Sequence, residues 1–283
     1  MQQFEAFFVQ PPGGGQRLCI HTPPTGTGRG AVLHAHAFGE EMNKSRRMCA
    51  LGARAMATAG FAVLQIDLLG CGDSSAEFGE ATWSDWVDDL AFGVQWLRDR
   101  YRDVPLWLWG HRAGALLCSA LLGRYPMANL LLWNPVLQGK AVTQQMLRLK
   151  SAANWAAGDG GKAAAAAAKA DLEAGKTVEI AGYDLTPTMA AAIDAATLVP
   201  VKADHRQRFV WLEVAGSDEQ ISLSPSAQAQ LPRWRSHGWN IQAKAVSGPM
   251  FWQTAEIEVS PALTEATASL LTQPQAAMEL DPA

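Results

Sequence analysis

The stretch Leu106-Trp107-Leu108-Trp109-Gly110-His111-Arg112-Ala113-Gly114-Ala115-Leu116-Leu117 decides how this chain is read. Its four leading apolar residues form a run suited to a strand buried on both faces, and Ala113 onward reads as the small-residue start of a helix. Between them, Gly110-x-x-x-Gly114 makes a tight strand-to-helix turn. Gly110 allows a sharp change of direction, and Gly114 lets the helix pack against neighbouring strands with no Cβ in the way. The tip of the turn carries Arg112, a guanidinium that stays protonated and offers no acceptor.

Working outward, the same alternation of strand and helix recurs on both sides. Residues 3–9 and 16–22 are short extended segments joined through Pro11-Pro12-Gly13-Gly14-Gly15, an antiparallel hairpin by composition. Ala31–His36 is an apolar strand that runs into the loop Ala37–Ser45; residues 46–59 read as a helix closed by Gly60. Phe61–Asp67 is a further buried strand, followed by the glycine-punctuated turn Asp67–Ser74. Thr82 and Asp85 sit as N-cap and N3 partner of a helix. Its apolar stripe is Trp83, Trp86, Val87, Leu90, Val94, Leu97 and Tyr101. Beyond the central turn come strands at Ala128–Trp133, Phe209–Val214 and Ile241–Val246, the last alternating enough to suit a sheet edge. This order specifies a mostly parallel eight-stranded sheet with helices on both faces.

Residues 137–205 break the rhythm and read as a helical insertion, Gly158-Asp159-Gly160-Gly161 interrupting two helical stretches and Ala163–Ala168 favouring helix. Its apolar positions, among them Met146, Leu149, Trp155, Leu172 and Ile193, need a surface to cover, so a cap over the central turn is expected. The division is then 1–136 and 206–272 as core, 137–205 as cap, and 273–283 as a flexible tail.

Composition narrows the class. The chain has 283 residues, 48% of them hydrophobic and 18% charged, and a formal net charge of −4. That suits one large globular domain with an insertion and leaves no basic footprint for nucleic acid. No apolar run approaches the roughly 20 residues of a membrane span. Met1–Glu5 has neither the basic nor the apolar part of a signal peptide. Cys19, Cys49, Cys71 and Cys118 lack metal-ligand and disulfide spacing, which points to reduced thiols, a cytoplasmic location, and no metal or cofactor.

Taken together, these motifs resemble those of the α/β-hydrolases over nearly the whole chain. Gly110-x-x-x-Gly114 is similar to their nucleophile elbow Gly-x-Ser-x-Gly. His36-Ala37-Phe38-Gly39 resembles their oxyanion loop, and Asp67-x-x-Gly70-x-Gly72-x-Ser74 a common turn of the family. Three further stretches, Ala37–Arg47, Gly182–Pro187 and Gly248–Gln253, are similar to the exosortase A system-associated hydrolases of the second type. That resemblance implies a setting beside exopolysaccharide and exosortase genes in Gram-negative bacteria, and it does not establish chemistry.

Acyl transfer on this fold needs a nucleophile, an imidazole and an orienting carboxylate, in the chain order Ser, Asp or Glu, His. The three equivalent positions here are Arg112, Asp218 (with Glu219 one residue off) and Met250. Arg112 cannot attack a carbonyl and Met250 cannot shuttle a proton. The electrostatic half of the site is expected to persist, with the backbone N–H groups of Phe38 and Ala113 facing one spot at a helix start. Glu41 and Asn43, on the adjoining loop, could pair with Arg112 or with a ligand. His36 could act as a base beside the pocket or orient the loop; His111 is expected to pack sideways against the sheet. Three readings stay open: a catalytically degenerate protein binding an anionic small molecule or a protein of exopolysaccharide production, a hydrolase or acyltransferase with a rearranged catalytic set, and a structural partner with a collapsed pocket.

Overall fold

The computed structural model describes residues 3–156, 161–216 and 221–274, and the side chains of all of these except 153–156, 161 and 162. Asp218, Glu219 and most of the expected tail lie outside the described residues, and so does the side chain of Trp155.

Strands β1 (Glu5–Val9) and β2 (Arg17–Thr22) form the opening antiparallel hairpin. Then come β3 (Gly30–Ala35), helix α1 (Glu40–Thr58), β4 (Phe61–Ile66), α2 (Trp83–Arg100), β5 (Leu106–His111), α3 (Gly114–Leu122) and β6 (Asn129–Trp133). The insertion holds α4 (Gly139–Ala156), α5 (Gly161–Glu173), the short strands β7 (Val178–Ile180) and β8 (Tyr183–Leu185), and α6 (Pro187–Ala195). The chain closes with β9 (Arg208–Ala215), α7 (Pro225–Ser236), β10 (Asn240–Ser247) and α8 (Pro261–Thr272). Eight strands make one sheet in the order β1-β2-β4-β3-β5-β6-β9-β10. Only β1–β2 and β2–β4 pair antiparallel; every other pair in the sheet is parallel. This is the α/β-hydrolase fold that the motifs imply, with β10 at one edge as its alternation suggests.

Each face of the sheet carries a separate apolar layer. On one, Leu33, Leu108 and Leu132 meet Leu90, Val94 and Leu117 of α2 and α3. On the other, Val32, Val63 and Trp109 meet Met48, Ala53 and Met56 of α1, together with Leu263 of α8. Gly52, in the middle of α1, is what lets this second layer close. A Cβ there would lie 2.4 Å from the ring of Trp133, itself fully buried, and 3.2 Å from that of Trp109.

Two local readings are corrected. Helix α1 begins at Glu40 and not near residue 46. Gly39, at φ 54°, turns the chain out of the loop, and Glu40 and Glu41 lie in the first turn, where the helix dipole favours acidic groups. Glu41 and Asn43 therefore stand on a helix and not on a loop. The insertion is also not wholly helical, since β7 and β8 pair as a hairpin around Ala181 and Gly182, both at positive φ. Three-residue strands are too short for their periodicity to register.

Candidate functional site

The strand β5 ends in the elbow, and its geometry is intact without its usual residue. Arg112 sits at φ 52°, in the left-handed region that non-glycine residues occupy only under constraint. The two glycines explain how the turn is held. A Cβ on Gly110 would come within 2.7 Å of the Ala115 backbone, and one on Gly114 within 2.0 Å of the Ala35 carbonyl oxygen. Gly110 thus serves close approach, while the sharp change of direction falls on Arg112 itself. Its N–H donates to Trp133 O and its carbonyl accepts from Val136, so the backbone on both sides fixes the tip.

The guanidinium is closed in by this chain. Arg112 Nε lies 3.1 and 3.2 Å from the two carboxylate oxygens of Glu41, and Nη2 lies 3.1 Å from Oε1. Nη1 donates to the carbonyl of Asn134 at 3.2 Å. Gln145 of α4 completes the ring, accepting from Nη2 at 3.5 Å and donating to Glu41 Oε1 at 2.8 Å. From below, the Trp252 indole faces the cation at 5.1 Å. The side chains of Arg112 and Glu41 are 16% and 13% exposed, enough burial for the pair to matter.

Beside this ion pair lies a cavity of only about 30 Å³, lined by Phe38 and Ala113 below and by Val142, Met146 and Leu149 of α4 with Ile180 of β7 above. By that measure it holds about two waters. The backbone groups expected to face a developing oxyanion border it, but no acyl group fits.

The other expected residues scatter. Asn43 donates to the Tyr183 hydroxyl of β8 at 2.8 Å and so ties α1 to the hairpin, not to Arg112. Met250 is 43% exposed, and two residues on it is Trp252 that meets the elbow. Asp218 lies outside the described residues. His111 packs sideways as expected, wholly buried, with Nε2 2.9 Å from Ser45 Oγ and its ring stacked on Phe251. Burial, reinforced by the Arg112 cation, pushes its pKa down to about 3.

His36 opens onto a different cavity, beneath α1, and not onto the elbow. Its Nε2 accepts from the Leu68 N–H at 3.3 Å, which leaves the proton on Nδ1, 2.6 Å from Ala37 O. Burial lowers its pKa, opposed in part by Asp67. Both nitrogens are used to hold loops, so no lone pair is free to take a proton from water. Ser74 is likewise taken: its Oγ donates to Asp67 O and accepts from Leu18 N. Cys71 is buried, and burial pushes its thiol up to about 12, far from a usable thiolate.

Sequence reasoning missed Asn134, Gln145 and Trp252. Asn134 had a signal, a polar residue between a buried strand and Pro135; its Oδ1 accepts from Val214 N and so joins β6 to β9. Gln145 and Trp252 had none, being one polar residue on an amphipathic helix and one aromatic among eleven tryptophans.

Sheet order, elbow and loop frame together define an α/β-hydrolase, one whose elbow presents an ion pair. The chain belongs to the serine aminopeptidase S33 family, whose profile matches residues 26–195. Similar solved structures are Est1E from Butyrivibrio proteoclasticus with ferulic acid bound, at 14% identity and a TM-score of 0.59 over 94% of this chain and 98% of that one. A highly thermostable carboxyl esterase from Bacillus coagulans in complex with glycerol matches at 15% identity and a TM-score of 0.57, covering 88% and 91%. An alpha-beta serine hydrolase homologue from Coxiella burnetii matches at 13% and 0.55, covering 95% of each chain. At these identities the likeness carries the fold alone. No curated protein matches the sequence.

Proposed function

We propose that this protein is a catalytically degenerate α/β-hydrolase that works by binding a protein partner. The observation that carries this reading is the Arg112–Glu41 pair at the elbow tip, sealed by Gln145 and Trp252. A guanidinium whose charge is already met by a carboxylate of the chain has little left for an anionic ligand, and the adjoining cavity is too small for one. That weighs toward a partner protein and against an anion at the elbow. A rearranged hydrolase is disfavoured because His36, the nearest alternative base, spends both nitrogens on loops.

The setting in exosortase-linked exopolysaccharide production rests on the sequence resemblance of Ala37–Arg47, Gly182–Pro187 and Gly248–Gln253. Four free, buried cysteines are compatible with the cytoplasmic location that goes with it. Among the described residues no helix is long and apolar enough to cross a membrane.

The test is an assay of the purified protein on p-nitrophenyl acetate, with fluorophosphonate labelling in parallel. No turnover above buffer and no adduct are expected, since neither nucleophile nor base is present. A time-dependent adduct with matching turnover would overturn the reading. Deleting the gene in its host and measuring secreted polysaccharide tests the setting; an unchanged yield would remove it.

A further inference from the structure

The face of the sheet that packs on α1 changes character along its strands. Alternation places Val32, His34 and His36 of β3 and its exit on that face, Val63, Gln65 and Asp67 along β4, and Trp107, Trp109 and His111 along β5. The first residues of each series belong to the apolar layer under α1. The later ones are polar, and above them the helix does not close on the sheet. A cavity of about 290 Å³ remains, roofed by Met42, Ser45, Arg46, Cys49 and Ala50 of α1. It is larger than the ~150 Å³ cavity that accepts a benzene molecule in an engineered protein core.

Three features of its lining describe an occupant. One wall is apolar, built from Leu18 and Ile20 of β2, with Met42 above. The floor carries imidazoles, two of them with an unpartnered nitrogen among the described residues: His111 at Nδ1, and His34, which is 4% exposed, at Nε2. A buried polar atom left in this way is destabilising unless something fills the site. The rim is cationic. Arg46 is spent on a two-pronged pair with Asp67, at 3.1 and 2.9 Å. Arg47 is exposed, and no ion pair or hydrogen bond takes up its charge among the described residues. With the imidazoles neutral, the charged lining groups Arg46, Arg47 and Asp67 leave one positive charge uncompensated.

We propose that this cavity is a binding site for a small carboxylic acid with an apolar body, the body against Leu18 and Ile20, an oxygen on His34 Nε2, and the negative charge answered by Arg47. The site lies on the α1 side of the sheet and shares no lining residue with the cavity beside Arg112 and Glu41. It stands whether or not the elbow is catalytically dead, and an esterase result decides nothing about it.

The experiment titrates benzoate, with benzamide as its uncharged counterpart, into the full-length protein at pH 7.5. Calorimetry reads affinity, and the imidazole ring signals read location by magnetic resonance. Saturable benzoate binding is expected, with the His34 signal shifting and those of the exposed His205 and His237 unmoved. Benzamide should bind at least several-fold more weakly. Arg47→Gln, at an exposed position, should weaken benzoate about tenfold, as the loss of one charge-assisted contact. Ala50→Phe, at the roof, should block binding, and its circular dichroism melt checks that it folds. No saturable benzoate binding, equal affinity for benzamide, an unaffected Arg47→Gln, or binding without a His34 shift would each overturn the proposal.

Discussion

At the scale of the residue, the decisive fact is that a strained backbone position at the elbow tip carries a cation. Arg112 keeps φ 52° because the turn is clamped on both sides by Gly110 and Gly114, and its side chain forms one half of an ion pair. Arg112→Ala should lower stability by about 2–3 kcal/mol, less than the ~3–5 of a fully buried pair, because it strands Glu41 against Gln145. For a chain of this size that is a drop in Tm of roughly 3–5 °C. Arg112→Gly loses the same pair but relieves the left-handed strain, so it should melt above Arg112→Ala by about 1 kcal/mol. Equal melting points for the two would mean that the tip is unstrained. Arg112→Ser should also remain inactive on p-nitrophenyl acetate, since Met250 is no base and His36 has no free lone pair. Appreciable turnover by that single variant would show that a base already reaches the elbow.

Among the elements, α1 does the most to shape the site. Its first turn supplies Glu41 to the elbow, its second supplies Ser45 to His111 and Arg46 to Asp67, and its middle gives way at Gly52 to two tryptophans of the sheet. Gly52→Ala decides between two opposed effects. Helix propensity alone would add about 1 kcal/mol of stability. The new Cβ, however, meets a buried indole at 2.4 Å, and that ring is pinned by its Nε1 donating to Thr267 Oγ1 at 3.0 Å. Overpacking of this kind costs about 1–3 kcal/mol, so a net loss is expected in chemical denaturation. A stabilised variant would mean that the layer under α1 is looser than its contacts imply.

For the molecule as a whole, the buried histidines set the response to acid. His21, His34, His36 and His111 are all held below their usual pKa, each chiefly by burial. The unfolded chain binds their protons near pH 6.5 and the folded chain does not, so acid favours unfolding. Their stabilising contribution is fully present above pH 6.5 and is lost as pH falls below it toward the depressed folded values. With four such groups the slope approaches about 5 kcal/mol per pH unit. Thermal melts should therefore be flat from pH 7 to 8 and decline steeply between pH 6 and 5. A decline beginning only near pH 4, where carboxylates titrate, would refute this. His34→Phe should make the decline shallower by about one proton.

Much of this architecture was legible along the chain. Glycine punctuation and runs of apolar residues are local signals, and they sufficed for the eight strands of the sheet, the edge position of β10, the Thr82–Asp85 cap and the elbow with a cation at its tip. Local signals also told what Arg112 cannot do, because that follows from the chemistry of one side chain. They could not name its partners. Glu41 lies 71 residues before it and Gln145 33 after it, and which acid or amide arrives depends on where α1 begins and how α4 settles over the sheet. The same holds for His34, His36 and His111. Each is an ordinary residue at a strand end until β3 and β5 pair in register and α1 leaves them a common space. Periodicity assigns a side chain to a face; only the packing of faces decides what it meets there.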